Sequence, residues 1–280
     1  MKKILHRLYL LYERHFPISR GKFRVGELVD RLIGRVAYKI DGLILMLSPV
    51  SLLDRLLIRG DYDRFVVDVV NCALSDGGNL IDIGANIGYV SLTAAKLLDT
   101  RGKVFSFEPS PREYWRLCDH CRVNAATNVV TANKGIGPIV ETAVLRIADL
   151  SNPGMNSRHS IRPTVEECEA MFVPIDEAIP HSELAKSRCV KIDVEGDEMN
   201  VLRSFAPVMP VLQSAAFIVE ITPSYLARAG DSAADIYHFF SEAGFLPLRP
   251  ASLQATGQYD EVFVHPAGRQ SPRLLDVVRR

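Results

Sequence analysis

LIDIGANIGY, at residues 80–89, decides the fold of this chain, because a hydrophobic strand runs directly into a glycine-containing turn that opens a helix. Gly84 permits a turn with positive φ and a close approach of a ligand to the backbone. Gly88 lets the start of the helix pack closely. The stretch therefore predicts a nucleotide-binding turn at the end of a buried strand.

Strand and helix patterns alternate regularly from Gly78 onward, which is typical of a parallel sheet flanked by helices. The predicted strands cover residues 79–83, 103–108, 128–133, 188–193 and 215–221. The predicted helices cover residues 88–98, 111–124, 196–205 and 233–243. A closing pair at 245–248 and 261–265 predicts an antiparallel end to the sheet. The pattern indicates an α/β fold with a mostly parallel sheet and helices on both faces.

The segment before this domain contains an Asp41-Gly42 pair between β-prone runs, which predicts a hairpin over residues 36–47. Helices are predicted over 51–58 and 62–74. We therefore expect an N-terminal extension at 1–57, a main domain at 58–265 and a flexible, polar and basic tail at 266–280. Residues 151–165 are rich in Pro, Gly, Asn and Ser, which predicts a functional or mobile loop.

The first 16 residues are basic and then apolar, but the uncharged run at 8–12 is too short for a signal peptide. Nowhere in the sequence are there the roughly 18 apolar residues of a membrane span, so a cytoplasmic location is expected. Basic and apolar residues alternate here: Lys2, Lys3, Arg7 and Arg14 beside Leu5, Leu8, Tyr9 and Leu11. They predict a helix that either contacts a membrane surface or packs on the domain.

The composition narrows the class of partner. The chain has 280 residues, 48% of them hydrophobic, and its 33 basic residues balance 33 acidic ones, so nucleic acid is not an expected partner. The five cysteines are odd in number and scattered, which is typical of a reducing compartment. The CxxC spacing at 118–121 lacks a second Cys/His pair, so no structural zinc is expected.

The spacing of the glycines discriminates between nucleotides. Dinucleotide enzymes use GxGxxG, whereas here Asn86 lies between Gly84 and Gly88, and Asp82 precedes them. Asp82 would repel a phosphate, but it can pair with an ammonium group directly or through water. Glu108 ends the second strand, where a carboxylate accepts hydrogen bonds from ribose hydroxyls.

Three ordered motifs carry a resemblance to a known family: DIGANIGYVSL at 82–92, FEPSP at 107–111 and VKIDVEGDEMNVL at 190–202. With these motifs the chain resembles the FkbM family of S-adenosylmethionine-dependent methyltransferases over roughly residues 58–222. The resemblance includes the segment Gly60-Asp61-Tyr62, which precedes the first strand of the domain. The resemblance implies a class I methyltransferase, Rossmann-like fold with a seven-stranded sheet. It also implies S-adenosylmethionine as cofactor and O-methylation of a hydroxyl on a sugar, glycolipid, polyketide or similar metabolite.

Two further cofactor ligands are expected from this comparison. Asn133 follows the third strand, in a sequence that departs from the family pattern, and it either contacts adenine or serves as a turn residue. Ser157, with Asn156, lies in a turn that resembles a glycine-to-serine loop of the family, and we expect it near the methyl donor or acceptor.

Charged residues end the fourth strand. Lys191, Asp193 and Glu195 project to one side if the strand stays extended, at the edge where open α/β sheets bind ligands. Transfer of a methyl group to an alkyl hydroxyl requires a group that removes the proton. Asp193 is the predicted base and Glu195 the second choice, while a purely structural ion-pair network is the alternative.

Two other residues are candidates at this edge. His159 lies in the irregular loop and is a candidate base or substrate ligand, although a lone loop histidine is more often solvated. Glu220 ends the fifth strand and either orients the substrate or joins Asp193 and Glu195 around a divalent cation. We expect no metal.

Other functions fit the sequence less well. An NAD-dependent oxidoreductase would carry GxGxxG and a Tyr-x-x-x-Lys pair, and a noncatalytic binding module would not need the carboxylates. N-methylation of an amine or peptide remains an alternative within the same fold. The expected acceptor is a small molecule or a glycan, and the sequence does not indicate an oligomeric state.

Overall fold

The computed structural model describes a strand-rich α/β protein. The described residues are 2–15, 28, 32, 34–49, 51–148, 156–158, 164–249, 256–268 and 272–278. The strands are β1 (Val36–Ile40), β2 (Leu43–Leu47), β3 (Asn79–Ile83), β4 (Val104–Phe107), β5 (Val129–Ala132), β6 (Gly135–Ile136), β7 (Glu141–Ala148), β8 (Thr164–Val173), β9 (Ser187–Ile192), β10 (Ala216–Ile221), β11 (Leu246–Pro247) and β12 (Tyr259–Val264).

Helices alternate with these strands along the chain. They are α1 (Lys2–His15), α2 (Leu52–Arg59), α3 (Arg64–Ala73), α4 (Tyr89–Leu98), α5 (Pro111–Val123), α6 (Ile175–Ala178), α7 (His181–Leu184), α8 (Glu198–Phe205), α9 (Pro223–Ala229), α10 (Ala233–Glu242) and α11 (Pro272–Val278), with a 3₁₀ helix at Ala206–Val211. Among the described helices, none has the length and apolar content needed to cross a membrane.

The central sheet has seven strands in the order β11-β12-β10-β9-β3-β4-β5. The five strands from β10 to β5 run parallel, and β12 runs antiparallel to both of its neighbours. This arrangement confirms the predicted class I methyltransferase fold, including the antiparallel end. Because β3, β4, β9 and β10 are parallel, their carboxyl ends meet at one edge, which positions the site described below.

The two faces of the sheet bury different side chains. One face packs an aromatic cluster around Phe217 and Phe240, whose ring centroids lie 5.3 Å apart, beneath α8 and α10. The other face packs aliphatic residues of α3 and α4, such as Val69 and Leu92, onto β3. Helices on both faces therefore shield an apolar sheet, as the sequence predicts for parallel strands.

The glycine turn after β3 is required by the chain's own packing. Gly84 has a φ of 77°, and a Cβ there would lie 1.8 Å from the carbonyl oxygen of Asp193. Gly88 has a φ of 87°, and a Cβ there would lie 2.3 Å from Leu117 Cδ1 on α5. The close approach expected of a ligand at Gly84 is thus already made by the loop that follows β9.

The N-terminal extension packs on the main domain, and the domain boundary predicted at residue 57 stays a prediction. That boundary falls inside α2, and buried leucines of β2 share a core with α3 and α4. The predicted hairpin forms, with Tyr38 opposite Leu45. A buried ion pair joins the layers, because Arg116 on α5 donates to both carboxylate oxygens of Asp54 on α2 at 2.9 Å.

Residues 135–188 contain structure that the sequence pattern did not predict. β6, β8 and β7 form a three-stranded sheet, in which Leu145 and Phe172 are buried while Val144 and Met171 are about half exposed. Apolar side chains on both faces weaken the alternation that identifies a strand. β8 begins at Thr164, inside the predicted loop at 151–165, of which 156–158 are also described.

Within the predicted tail, residues 272–278 form the helix α11. Leu274 and Val278 are buried, and α11 packs on α3. The apolar pair is spaced at i and i+4, so one face of a short helix can bury both side chains. The surrounding polar and basic residues obscured this signal.

Candidate active site

A cleft of about 320 Å³ opens at the carboxyl edge of the central sheet, which lies within the range of ligand-binding clefts. Its wall combines residues from α2, the turns after β3, β4, β9 and β10, and the small sheet. The polar lining residues are Tyr62, Asp63, Asn86, Glu108, Asn156, Ser157, Arg158, Asp193, Glu195, Asp197, Glu220, Tyr225 and Gln258. One cavity therefore brings together candidate cofactor residues and candidate catalytic residues.

Glu108 forms one end of the cleft and is almost fully buried. Its two carboxylate oxygens each accept one backbone hydrogen bond, from Asn86 N–H at 2.8 Å and from Ser110 N–H at 2.9 Å. Burial and the nearby Glu113 raise the pKa of Glu108 to about 8, although these backbone donors act to lower it. Each oxygen keeps lone-pair capacity for a hydroxyl donor.

Asp82 lies beneath the glycine turn and does not line the cleft. Its carboxylate accepts a hydrogen bond from Ser91 Oγ on α4 at 2.5 Å and lies 3.6 Å from Lys191 Nζ. Burial raises the pKa of Asp82, while Lys191 and Ser91 act to lower it. In the structure the Asp82 side chain faces the protein's own Lys191, and a contact with an ammonium group of the ligand, directly or through water, stays a prediction.

Lys191 connects the two halves of the site. Its Nζ donates to the carbonyl oxygen of Gly84 at 2.9 Å and lies 3.0 Å from Asp193 Oδ2. Burial acts to lower the pKa of Lys191, but Asp193, Asp82 and Asp63 together raise it above its ordinary value. Lys191 is thus held as a cation, and it fixes both the turn and the Asp193 carboxylate.

The end of β9 presents the predicted catalytic pair to the cleft. Asp193 is partly exposed, with 23% of its side chain accessible. Glu195 has a φ of 56°, an unusual value for a residue other than glycine, so the chain turns here and does not continue the extended strand. This turn lets the carboxylates of Asp193 and Glu195 converge with that of Glu220.

The carboxylate oxygens of Asp193, Glu195 and Glu220 can all lie within 4.8 Å of one another, which is close enough to hold a cation. Burial and repulsion by Asp193 and Glu195 raise the pKa of Glu220 well above its usual range. Gln258 donates a hydrogen bond to Glu220 Oε1. Lys191 is thus the partner of Asp193, and Gln258 is a partner of Glu220.

The described part of the 151–165 loop reaches the cleft. Ser157 is nearly buried and its Oγ donates to the carbonyl oxygen of Glu195 at 2.7 Å, while Asn156 donates to Glu113 at 2.9 Å. Arg158 pairs with Glu141 at 2.8 Å and lies over the Phe172 ring at 4.5 Å. His159 lies outside the described residues.

The remaining predicted residues have supporting positions. Asn133 donates to the carbonyl oxygens of Glu108 at 2.8 Å and Pro109 at 3.0 Å, so it holds the loop that carries Glu108. These bonds agree with the turn role that the sequence left open for Asn133, and its contact with adenine stays a prediction. Gly88 contacts Leu117 and does not line the cleft, whereas Gly84 and Asn86 do.

The cleft is also lined by Asp63, Arg158 and Gln258, for which the sequence predicted no role. Asp63 directly follows the segment Gly60-Asp61-Tyr62 and precedes α3, with a φ of 47°. Burial raises the pKa of Asp63 to about 6, with Lys191 acting to lower it. Only the neighbouring motif signalled this segment, and no local pattern indicated Arg158 or Gln258.

Three residues that line the cleft share an unusual backbone conformation. They are Asp63, Asn86 and Glu195, and each has a positive φ, between 47° and 56°. Such values are costly for residues other than glycine and cluster at functional sites. They aim two carboxylates and one amide at the same volume.

A comparison with curated proteins finds a methyltransferase among the relatives. The "Hexuronic acid methyltransferase AglP" of Haloferax volcanii is 29% identical over 187 residues, which cover 66% of this chain and 70% of the relative.

Solved structures with a similar arrangement include M. jannaschii TYW2 in complex with AdoMet, with a TM-score of 0.42 and 12% identity, covering 82% of this chain and 84% of that one. A precorrin-6y C5,15-methyltransferase from Geobacter metallireducens has a TM-score of 0.40 and 15% identity, covering 71% and 84%.

The match to a family extends over most of the central sheet. Residues 82–247 match the family described as Methyltransferase FkbM domain, which is more than half of the chain. The matched segment runs from Asp82 in β3 to Pro247 in β11, so it contains Glu108, Asp193, Glu195 and Glu220. This chain is therefore a member of the FkbM methyltransferase family.

Proposed function

We propose that this protein is an S-adenosylmethionine-dependent O-methyltransferase that acts on a hydroxyl of a sugar, glycolipid, polyketide or similar metabolite. The observation that carries the proposal is the single cleft that both Glu108 and Asp193 line. Glu108 offers acceptor oxygens to a ribose, and Asp193 offers a base for the acceptor. The cleft thus offers both a group that binds the cofactor and a base for the acceptor hydroxyl.

The cofactor fits the donor set at the Glu108 end. Glu108 would bind the ribose hydroxyls, while Gly84 and Asn86 line the adjoining wall. When bound, S-adenosylmethionine supplies an electrophilic methyl group. Three further residues support this part of the site without lining the cleft. Asp82 pairs with Lys191, Gly88 packs against Leu117, and Asn133 holds the loop that carries Glu108. Ser157 positions Glu195 by donating to its carbonyl oxygen.

Asp193 would take the hydroxyl proton onto a carboxylate oxygen, with Glu195 as the second candidate. The ion pair with Lys191 holds the Asp193 carboxylate in one orientation, while its partial exposure leaves it accessible to an acceptor. We propose chemistry without a metal, because Lys191 already neutralises the Asp193 carboxylate and Gln258 donates a hydrogen bond to Glu220.

The relative's name supports a sugar as acceptor, since that protein is called a hexuronic acid methyltransferase. The polar residues among those that line the cleft can bind the hydroxyls of such an acceptor. N-methylation of an amine remains the alternative that an acceptor screen would reveal.

Calorimetric titration with S-adenosylmethionine and, separately, NAD tests the cofactor. We expect binding of S-adenosylmethionine alone, weakened at least about tenfold by Glu108→Ala through loss of the ribose hydrogen bonds. Turnover is then measured on a panel of sugars in buffer with excess EDTA. Asp193→Asn should lower kcat by about 10²–10⁴ with cofactor affinity unchanged.

Glu242→Gln on the exposed face of α10 is the matched control, and it should change neither quantity. Binding of NAD, or of neither nucleotide, would contradict the proposal. A larger loss of kcat in Glu195→Gln than in Asp193→Asn would reassign the base. Activity that EDTA abolishes and Mg²⁺ restores would show that the three carboxylates hold a metal.

A further inference from the structure

Helix α1 is fixed to the body of the protein by one face only. His6 and Tyr9 on this face are buried. The His6 ring nitrogen Nδ1 lies 3.1 Å from the Tyr38 hydroxyl on β1, and the two rings stack with centroids 6.1 Å apart. The helix therefore has a defined orientation against the hairpin.

A second face of α1 carries large apolar side chains in solvent. Ile4, Leu8 and Leu11 are 61%, 55% and 52% exposed, and Leu5 beside them is 43% exposed. The spacing i, i+4 and i+7 places the first three along one line of the helix. A continuous apolar stripe of this kind costs free energy in water and indicates a partner.

The flank of the apolar stripe is basic. Lys3 and Arg7 are exposed and lie one turn apart, between the stripe and the face packed on the hairpin. Lys2 precedes them, and the first turn contains no acidic residue. Lys3 Nζ lies 5.6 Å from the centre of the Tyr38 ring, which holds the start of the helix near the hairpin.

We propose that α1 docks this protein on an anionic lipid surface. The stripe of Ile4, Leu5, Leu8 and Leu11 would enter the boundary between headgroups and acyl chains, while Lys3 and Arg7 bind the headgroups. The basic flank beside the stripe favours a surface that is apolar in its interior and negatively charged at its boundary.

Docking through α1 also orients the catalytic domain. The hairpin that holds α1 packs on α2, and α2 supplies Leu52, Leu53 and Leu56 to the cleft wall. Through these contacts, docking of α1 would set how the cleft faces the surface.

Sedimentation of the full chain with vesicles tests the proposal. The vesicles contain phosphatidylcholine with or without phosphatidylglycerol. We expect binding to the phosphatidylglycerol vesicles, weaker binding to phosphatidylcholine alone, and a decrease with added salt. Leu8→Gln/Leu11→Gln should lower the partition coefficient at least about tenfold, because both side chains lose apolar burial. Lys3→Gln/Arg7→Gln should remove the preference for phosphatidylglycerol.

Val144→Gln/Met171→Gln is the matched control, since these residues are 45% and 46% exposed on the small sheet, away from α1. It should bind vesicles as the unmodified protein does. Glutamine supports helix formation, and an unchanged melting temperature in each variant would show that α1 stays packed. The proposal is overturned by equal vesicle binding of the leucine variant, by no binding to either vesicle, or by a dimer that this variant dissociates.

Discussion

At the scale of single residues, the site depends on carboxylates whose charge the protein controls. Glu108 is buried among backbone donors, and Asp82 is buried against Lys191 and Ser91. Burial destabilises the ionised form of a carboxylate, while hydrogen bonds and a nearby cation stabilise it. The balance differs between the two residues, and it raises the pKa of Glu108 into the range of ordinary assay conditions.

The raised pKa of Glu108 predicts cofactor binding that depends on pH. With a pKa of about 8, the free protein holds this carboxyl protonated at lower pH, and only the ionised form accepts two hydroxyl donors. Affinity for S-adenosylmethionine should therefore rise as pH increases through about 8, by at most about tenfold per unit below that value.

Titration calorimetry at a series of pH values measures this rise. Glu108→Gln is close in shape but does not titrate, so its weaker binding should be independent of pH in the same interval. A flat profile for the unmodified protein would mean that Glu108 is ionised throughout, and a rise retained in the variant would assign the dependence to another group.

At the scale of elements, the packing of α5 on the turn that precedes α4 depends on a single missing side chain. Gly88 lies directly before α4 with a φ of 87°, and a Cβ there would lie 2.3 Å from Leu117 Cδ1. Leu117 is fully buried on α5, the helix that also carries Arg116 and its ion pair to Asp54. The absence of a side chain at Gly88 thus lets α5 approach the turn after β3.

Gly88→Ala should lower the free energy of unfolding by about 2–4 kcal/mol, because the clash with Leu117 adds to the cost of positive φ. Urea denaturation measures the change. Gly230→Ala is the matched control, since Gly230 also has a φ of 87° but has no neighbour within 4 Å. The control should lose only about 1 kcal/mol.

A double variant separates the two contributions. Leu117→Ala removes the clashing group, so Gly88→Ala/Leu117→Ala should lose at least about 1 kcal/mol less than the sum of the single losses. Additive losses, or equal losses at Gly88 and Gly230, would show that the contact with Leu117 does not limit the helix packing.

The strands of the central sheet follow from local sequence patterns, whereas the small sheet and the last helix do not. Hydrophobic runs and turn residues predicted β3, β4, β9 and β10 within a residue or two, because buried parallel strands have continuous apolar sequence. β7 and β8 expose one mixed face, and α11 has only two turns, so neither gives a strong periodic signal.

At the scale of the whole molecule, long-range packing determines which candidate residues meet. Sequence placed Asp193 and Glu195 at the sheet edge, but the positive φ of Glu195 and the approach of Gln258 arise from tertiary contacts. Asp63 and Arg158 come from segments far apart in the chain, without a motif of their own. The sequence motifs therefore predicted the residues at the strand ends. The other residues of the cleft wall are brought together only by tertiary packing.

The charge of the assembled cleft predicts the class of acceptor. The carboxylates of Asp63, Asp193 and Glu195 line the cleft, while Lys191 already pairs with Asp193 and Arg158 with Asp197. A negatively charged acceptor would be repelled. We expect neutral or amino sugars to have a kcat/KM at least about tenfold higher than the matching hexuronic acids.

Pairs of sugars that differ only by a carboxylate, such as methyl glucoside and methyl glucuronide, measure this preference through release of the demethylated cofactor. Asp63→Asn should narrow the difference by removing one charge. A uronate that is methylated as fast as its neutral partner would show that Arg158 or a bound cation compensates the carboxylates.

The positive φ of Asp63, Asn86 and Glu195 has a consequence for adaptation. Each residue holds a backbone shape that glycine would adopt at lower energy, so thermal selection acting alone would replace all three. The same replacements would remove the side chains aimed into the cleft. Thermal stability and turnover therefore place opposite demands on these positions. A homologue that works at a higher temperature would have to gain its stability at other positions.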